Sequence, residues 1–563
     1  MRHPIAHVTS NEPPFLECVA HLFAWEEGVR SMDGRSVNVE VVHPERVLGS
    51  TSAIGAPAPG PLDRDHRTGV LQTRDRVASI VLLAVLMGVV GTTLWVLYPL
   101  TWTGLHQSPT AVAILNVRVI GGVLPVVVNG LGILSLAFLL ARRPSRRWVI
   151  ASGSGILAGA AIAGIVLWGV SSTNALGVQL SSTSSVWVVV ACVGIGLAIG
   201  SWWGATWLRR LGSAMSVLLT LAVATVGINA DFGLDPTVGD LAGIPSQTAL
   251  TLPIVKPNPP PPSTILHGGA LWANWHAPST MPATGRIAQV VIPNTASGFK
   301  ARPAGLYLPP AALVANPPAL PLVIMMMGQP GNPDPSFTAA VLDAFAARHD
   351  GLAPIVVVAD QIGDPAIDPL CLDTVTYGKA ETYIATDVVG WARSHLHVLP
   401  DAAHWTVAGY SNGGECALSL AAKYPSIWGN LLDISGEAYP GSDHPAKTLA
   451  SVFRGNTTAY SATWPVHILA NATYPDTFGI FTVGSNDNQY RKEALAVSAA
   501  ARAAKWTTAY WEVLNGGHVL GALNGGLTEG YALLYPRLGL AAPTTAHAPP
   551  AAVNPRHHSG RFF

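Results

Sequence analysis

At 563 residues the chain exceeds the ~250–300 that one hydrophobic core usually supports, so at least two folding units are expected. Only 11% of residues are charged and the mean hydropathy is +0.35, too apolar for an ordinary soluble protein, in which about a quarter of residues carry charge. The 32 basic and 32 acidic residues balance, and no basic stripe runs through the C-terminal half, which excludes the electrostatic footprint of a nucleic-acid binder.

Residues 1–70 show no sustained periodicity and contain runs such as Gly55 to Pro61, which reads as a disordered cytoplasmic tail; Met32 is an alternative start that would give the same appearance. Apolar runs long enough to cross a ~30 Å hydrocarbon core follow at Val77 to Tyr98, Val119 to Ala141, Trp148 to Val170, Val186 to Leu208 and Leu211 to Ile228, the last being the shortest. A domain of about five transmembrane helices is therefore expected over 71–231. Arginines set its orientation, since cytoplasmic loops concentrate them. Arg64, Arg67, Arg74 and Arg76 precede the first run, Arg142, Arg143, Arg146 and Arg147 separate the second from the third, and Arg209 and Arg210 separate the fourth from the fifth. The alternate loops are nearly uncharged apart from Arg118. Five crossings place the N-terminus in the cytoplasm and everything after Ile228 outside; without the fifth, the rest would be cytoplasmic. The interiors of the first four runs hold no charge, so the bundle reads as an anchor in the plasma membrane and not as an ion path. Its small residues, among them Gly153, Gly155, Gly159 and Gly164, are expected to serve helix packing.

Hydropathy falls after Asp231, and Pro253, Pro257 and the run Pro259 to Pro262 mark a semi-rigid linker over 232–270. From about Ile287, short apolar runs alternate with helical segments, the pattern of a mainly parallel sheet covered by helices over 271–545. Strands are expected at Gln289 to Ile292, Leu320 to Met326, Ile355 to Val358, Trp405 to Ala408, Asn430 to Ile434, Phe478 to Val483 and Thr507 to Val513. Helices are expected at Phe337 to Arg348, Glu381 to His395 and Asn412 to Lys423. Residues 546–563 read as a second disordered tail.

Gly409-Tyr410-Ser411-Asn412-Gly413 is the one G-x-S-x-G in the sequence, and it stands between an expected strand and an expected helix. A sharp turn at that junction lifts the serine hydroxyl clear of the sheet, while the small flanking residues let strand and helix approach. Ser411 is thus the candidate nucleophile of an α/β-hydrolase. A serine hydroxyl needs a base, and a histidine oriented by a carboxylate supplies it, in the chain order Ser, acid, His. His518, in the loop Asn515-Gly516-Gly517-His518 after the last expected strand, suits the role better than His444 and His467 in the irregular stretch before Phe478, or His547, His557 and His558 in the tail. Asp487 follows the strand that begins at Phe478 and is preferred as the acid to Asp433 and Glu437, which come too early, and to Asp476, which precedes that strand. For the oxyanion, Asn412 offers a backbone N–H by position, and Met327-Gly328-Gln329-Pro330-Gly331 a second, best through Gln329 because proline has none.

At these residues the sequence resembles the esterase family of α/β-hydrolases that includes feruloyl and S-formylglutathione esterases and the mycobacterial antigen 85 mycolyltransferases. Over roughly the C-terminal half it is most similar to membrane-anchored actinobacterial members, through Gly328-Gln329-Pro330-Gly331, Cys371 with Glu381-Thr382-Tyr383, and Gly413-Gly414-Glu415-Cys416. Met327-Gly328 stands where many hydrolases have His-Gly. The resemblance implies nucleophile, acid and base roles for Ser411, Asp487 and His518, and a disulfide between Cys371 and Cys416 near the elbow, pairing that export would permit. The expected function is a membrane-anchored serine esterase acting through an acyl-enzyme on a small-molecule or lipid ester outside the cell. Its alternatives are an antigen 85-like acyltransfer to a sugar or lipid hydroxyl, and a non-catalytic binding module on the same fold. Four cysteines without CxxC spacing argue against sulfur-bound metal. The chemistry calls for no metal and no organic cofactor.

Overall fold

The computed structural model describes residues 109–173, 180–241, 270–365 and 367–543. The expected first span, most of the proline-rich linker and both tails lie outside the described residues.

Four long apolar helices come first: α1 (Val123–Leu140), α2 (Arg146–Thr173), α3 (Ser182–Gly200) and α4 (Trp207–Phe232). Each is long and apolar enough to cross a membrane. The expected shortest run, from Leu211, is in fact a 26-residue helix, because Thr206 starts it before the two arginines and Gly233 ends it in the left-handed conformation at φ 68°. Side chains such as Leu157 and Trp168 project outward, more than 70% exposed.

Glycines set the helix contacts. A Cβ on Gly155 would run into the carbonyl of Gly196, one on Gly196 into that of Gly155, and one on Gly159 into that of Cys192, so α2 and α3 touch backbone to backbone. Gly153 and Gly164, expected to share this role, face open space. The two arginine-bearing turns meet at one end of the bundle, where Arg142 Nη2 donates to the Gly204 carbonyl at 2.6 Å and Arg209 Nη2 to that of Ala141 at 2.7 Å. At the opposite end the Asp231 carboxylate accepts from the hydroxyls of Ser181 and Ser184, the first turn of α3 meeting the last turn of α4.

The second part is an eight-stranded sheet built from β1 (Arg286–Val290), β2 (Ala304–Leu308), β3 (Leu322–Met326), β4 (Ile355–Ala359), β5 (Trp405–Tyr410), β6 (Asn430–Ile434), β7 (Phe478–Gly484) and β8 (Thr507–Val513). Their spatial order is 1-2-4-3-5-6-7-8, with β2 antiparallel to both neighbours and every other pair parallel. Strand β2 has no counterpart among the expected strands. Its sequence, Ala-Gly-Leu-Tyr-Leu between prolines, carries a glycine that weakens the strand signal, yet all five residues are buried. Conversely, β3 and β4 read as unbroken apolar runs because helices cover both their faces. The covering helices include α5 (Ser336–Ala346), α6 (Asn412–Lys423), α7 (Asn488–Ala503) and α8 (Leu520–Arg537). The stretch between β6 and β7, expected to be irregular, holds three short helices, Pro445–Ser451, Thr457–Ser461 and Pro465–Ala470.

Overpacking a close helix contact costs about 1–3 kcal/mol. Gly196→Leu should therefore lower the thermal midpoint of the protein in nanodiscs by several degrees, whereas Gly153→Leu should leave it unchanged.

Candidate active site

The site lies at the carboxyl ends of β3, β5, β7 and β8, the edge on which open parallel sheets gather their functional groups. Strand β5 is central, and its last residue hands the chain to Ser411, which adopts φ 57° and ψ −123° before α6 begins. Few non-glycine residues tolerate positive φ, so the surroundings must hold it there. They do so by two close approaches. A Cβ on Gly409 would collide with the Gly413 carbonyl, and a Cβ on Gly413 with that of Met326 on β3. The Ser411 N–H is also fixed, donating to the Ile434 carbonyl at 2.9 Å.

His518 follows β8 and Asp487 follows β7. The hydroxyl of Ser411 is 2.8 Å from His518 Nε2, and His518 Nδ1 is 2.7 Å from Asp487 Oδ2. All three residues are buried, each less than a tenth exposed. The imidazole lies between two aromatic rings, with centroids 5.3 Å from Tyr410 and 3.9 Å from Tyr490. Glycines again permit the geometry, since a Cβ on Gly484 would strike the Gly516 carbonyl of the histidine loop. Among the described residues, the two other candidate histidines are placed differently: His444 precedes the helix Pro445–Ser451, and His467 stacks on Trp464. Of the carboxylates set aside, Asp476 pairs with Arg537 at 2.7 Å, and Asp433 accepts from the Gly436 N–H.

The oxyanion candidates sit beside the serine. A Cβ on Gly328 would lie 3.0 Å from Ser411 Cβ. The Gly331 N–H already donates to the Gly328 carbonyl, and among the described residues no carbonyl accepts from the N–H of Gln329 or of Asn412, the latter in the first turn of α6. Two residues absent from the sequence reading hold these donors. Gln361 Nε2 donates to the Met327 carbonyl at 2.6 Å and to Asn412 Oδ1 at 3.2 Å, and Asn412 Nδ2 donates to Asp368 Oδ1 at 3.0 Å. A polar residue two positions beyond a buried strand's carboxyl end was the available signal for Gln361. Asp368 carried none, because its partner is 44 residues away. Cys371 and Cys416 are joined by a disulfide, with Cα atoms 5.3 Å apart, which ties that loop to α6.

Behind the site lies a belt of buried and half-buried carboxyls. Burial pushes Glu415 up to about 8 and Asp433 up to about 7, and raises Glu437, Asp443 and Glu493 as well. Ser419 donates a hydrogen bond to Glu415 but does not offset the loss of water. Among the described residues no group of side chains is arranged to hold a metal ion.

Residues 300–526 match the sequence model of the family described as "Putative esterase". An uncharacterized protein of Corynebacterium glutamicum is 29% identical over 329 residues, which make up 55% of this chain and 72% of that one. Among solved structures, an S-formylglutathione hydrolase from Agrobacterium tumefaciens is 15% identical with a TM-score of 0.38, over 46% of this chain and 97% of its own. A ferulic acid esterase is 15% identical with a TM-score of 0.37, over 45% and 99%. The fluorophosphonate-binding serine hydrolase F of Staphylococcus aureus is 12% identical with a TM-score of 0.36, over 45% and 98%. The esterase-family domain has the α/β-hydrolase fold with a mostly parallel sheet.

The raised carboxyls make stability pH-dependent. The unfolded chain releases the Glu415 proton near the ordinary 4.5, whereas the fold keeps it to about 8. Stability present below the lower value is therefore lost as pH rises through the upper one. Glu415→Gln, neutral at every pH, should flatten the fall in thermal midpoint that the wild type shows from about pH 5 to about pH 8.

Proposed function

We propose that the protein is a membrane-anchored serine esterase whose hydrolase domain works outside the cytoplasm, with Ser411 as nucleophile, His518 as base and Asp487 as the carboxylate that orients it. The observation that carries this reading is the continuous hydrogen-bonded chain from Ser411 Oγ through both imidazole nitrogens to Asp487. His518 Nε2 accepts the serine proton as Oγ attacks the ester carbonyl, and Asp487 stabilises the imidazolium that results. The N–H groups of Asn412 and Gln329 receive the developing oxyanion. Collapse expels the alcohol, which leaves with the proton from His518, and water then attacks the acyl-enzyme by the same steps in reverse. A sugar or lipid hydroxyl in place of that water would turn the same acyl-enzyme into an acyltransferase.

Membrane placement is supported by the four apolar helices and by the meeting of the Arg142 and Arg209 turns at the end of the bundle opposite Asp231. If that arginine-rich end is cytoplasmic, α4 delivers the hydrolase domain to the outer face whatever number of spans precedes α1. A disulfide between Cys371 and Cys416 suits an oxidising compartment.

Intact cells expressing the full chain would be treated with a membrane-impermeant fluorophosphonate probe. Wild type should be labelled, and Ser411→Ala and His518→Ala should not. Labelling only after lysis would refute the outward orientation, and a folded wild type that never labels would refute the serine mechanism. Asp487→Asn should retain ester binding but lower kcat by roughly 10³–10⁴, read from steady-state hydrolysis of a p-nitrophenyl ester, because the imidazole is then held in the wrong tautomer.

A further inference from the structure

The segment leaving α4 is tied on both sides of the active site. Asn229, buried in the last turns of the helix, closes on it with both side-chain groups: Nδ2 donates to the Asp235 carbonyl at 2.8 Å, and Oδ1 accepts from the Asp235 N–H at 2.9 Å. Held in this way, Asp235 offers its carboxylate to the hydrolase domain, where Oδ1 accepts from Asn332 Nδ2 at 2.8 Å. Asn332 directly follows the loop that carries Gln329. Its own Oδ1 accepts from Arg302 Nη1 at 2.8 Å, while Arg302 Nη2 donates to the Gly331 carbonyl at 3.0 Å and pairs with the buried Asp360 at 2.7 Å. Across the site, Leu520 stands two residues after His518 and packs so closely on the end of α4 that a Cβ on Gly233 would lie 2.8 Å from its Cδ1.

We propose that Asp235 and Asn332 are positioning residues for the oxyanion loop, so that the outer end of the helix bundle is part of the esterase machinery as well as its anchor. The inference rests on the reading of Ser411 as nucleophile and Gln329 as an oxyanion donor. A donor helps only if it is held within about 0.5 Å of the place where charge develops. The loop needs such support: its turn is pinned at Gly331 by Arg302, and the side chain next to it is pinned from the bundle by Asp235. Releasing the second pin lets Gln329 wander, which weakens binding of the transition state while leaving that of the ground-state ester almost unchanged.

The test uses the full chain in nanodiscs with a p-nitrophenyl ester, comparing Asp235→Ala, Asn332→Ala, the double variant and Asp235→Asn, which keeps an acceptor oxygen. Each alanine variant should lose about tenfold in kcat with KM within about twofold of wild type, a smaller loss than deletion of an oxyanion donor. The double variant should be no slower than either single one, and Asp235→Asn should recover most of the rate. Rates within about twofold of wild type in both alanine variants would overturn the proposal, as would purely additive losses. If Asp235→Ala does not fold, Asn332→Ala alone decides between the same outcomes. A wild type that neither hydrolyses the ester nor takes fluorophosphonate at Ser411 would overturn the esterase reading itself, a result distinct from an active enzyme indifferent to Asp235.

Discussion

The close approach of α6 to the end of β5 is the contact on which the candidate site depends. Neither Gly409 nor Gly413 has room for a Cβ, so the helix can begin within one residue of the strand and force Ser411 to positive φ. The hydroxyl then stands above the carboxyl edge of the sheet, and the loops after β7 and β8 need only rise from the same edge to bring Asp487 and His518 to it. Parallel pairing supplies that shared edge, and β5, β6, β7 and β8 lie side by side in the sheet, so the three loops rise close together.

Around this core of three residues the protein invests in support. Gln361 and Asp368 fix Asn412 and the Met327 carbonyl, Tyr410 and Tyr490 clamp the imidazole, and the disulfide ties the loop bearing Asp368 to the helix that follows the serine. Preorganisation of this kind lets backbone donors act without reorganising during reaction. Its dry surroundings come with a penalty, visible in Glu415, Asp433 and Glu437, whose carboxyls are driven toward their neutral forms by loss of water.

The helix bundle follows different physics. Its contacts rest on backbone proximity and a few polar links, the kind of packing that suits helices long and apolar enough to cross a membrane. Gly155 and Gly196 provide the first, and Asp231 with Ser181 and Ser184 the second. Asn229 and Asp235 then carry the end of that bundle into the hydrolase domain, where the link reaches the loop beside Ser411.

Much of this was legible in the sequence where a local rule suffices. The strands Asn430–Ile434 and Thr507–Val513 fall at their expected bounds, as does the helix Asn412–Lys423; the G-x-S-x-G between strand and helix singles out Ser411, and chain order points to Asp487 and His518. Tertiary structure alone decided what depends on neighbours distant in the chain. Strand β2 exists because β1 and β4 flank it, not because its own residues favour extension. Gly155 packs and Gly153 does not, although periodicity treats small residues alike, because only one faces α3. Gln361, Asp368 and Asp235 became visible only in the fold, since a hydrogen bond to a group tens of residues away leaves no pattern in the sequence around it.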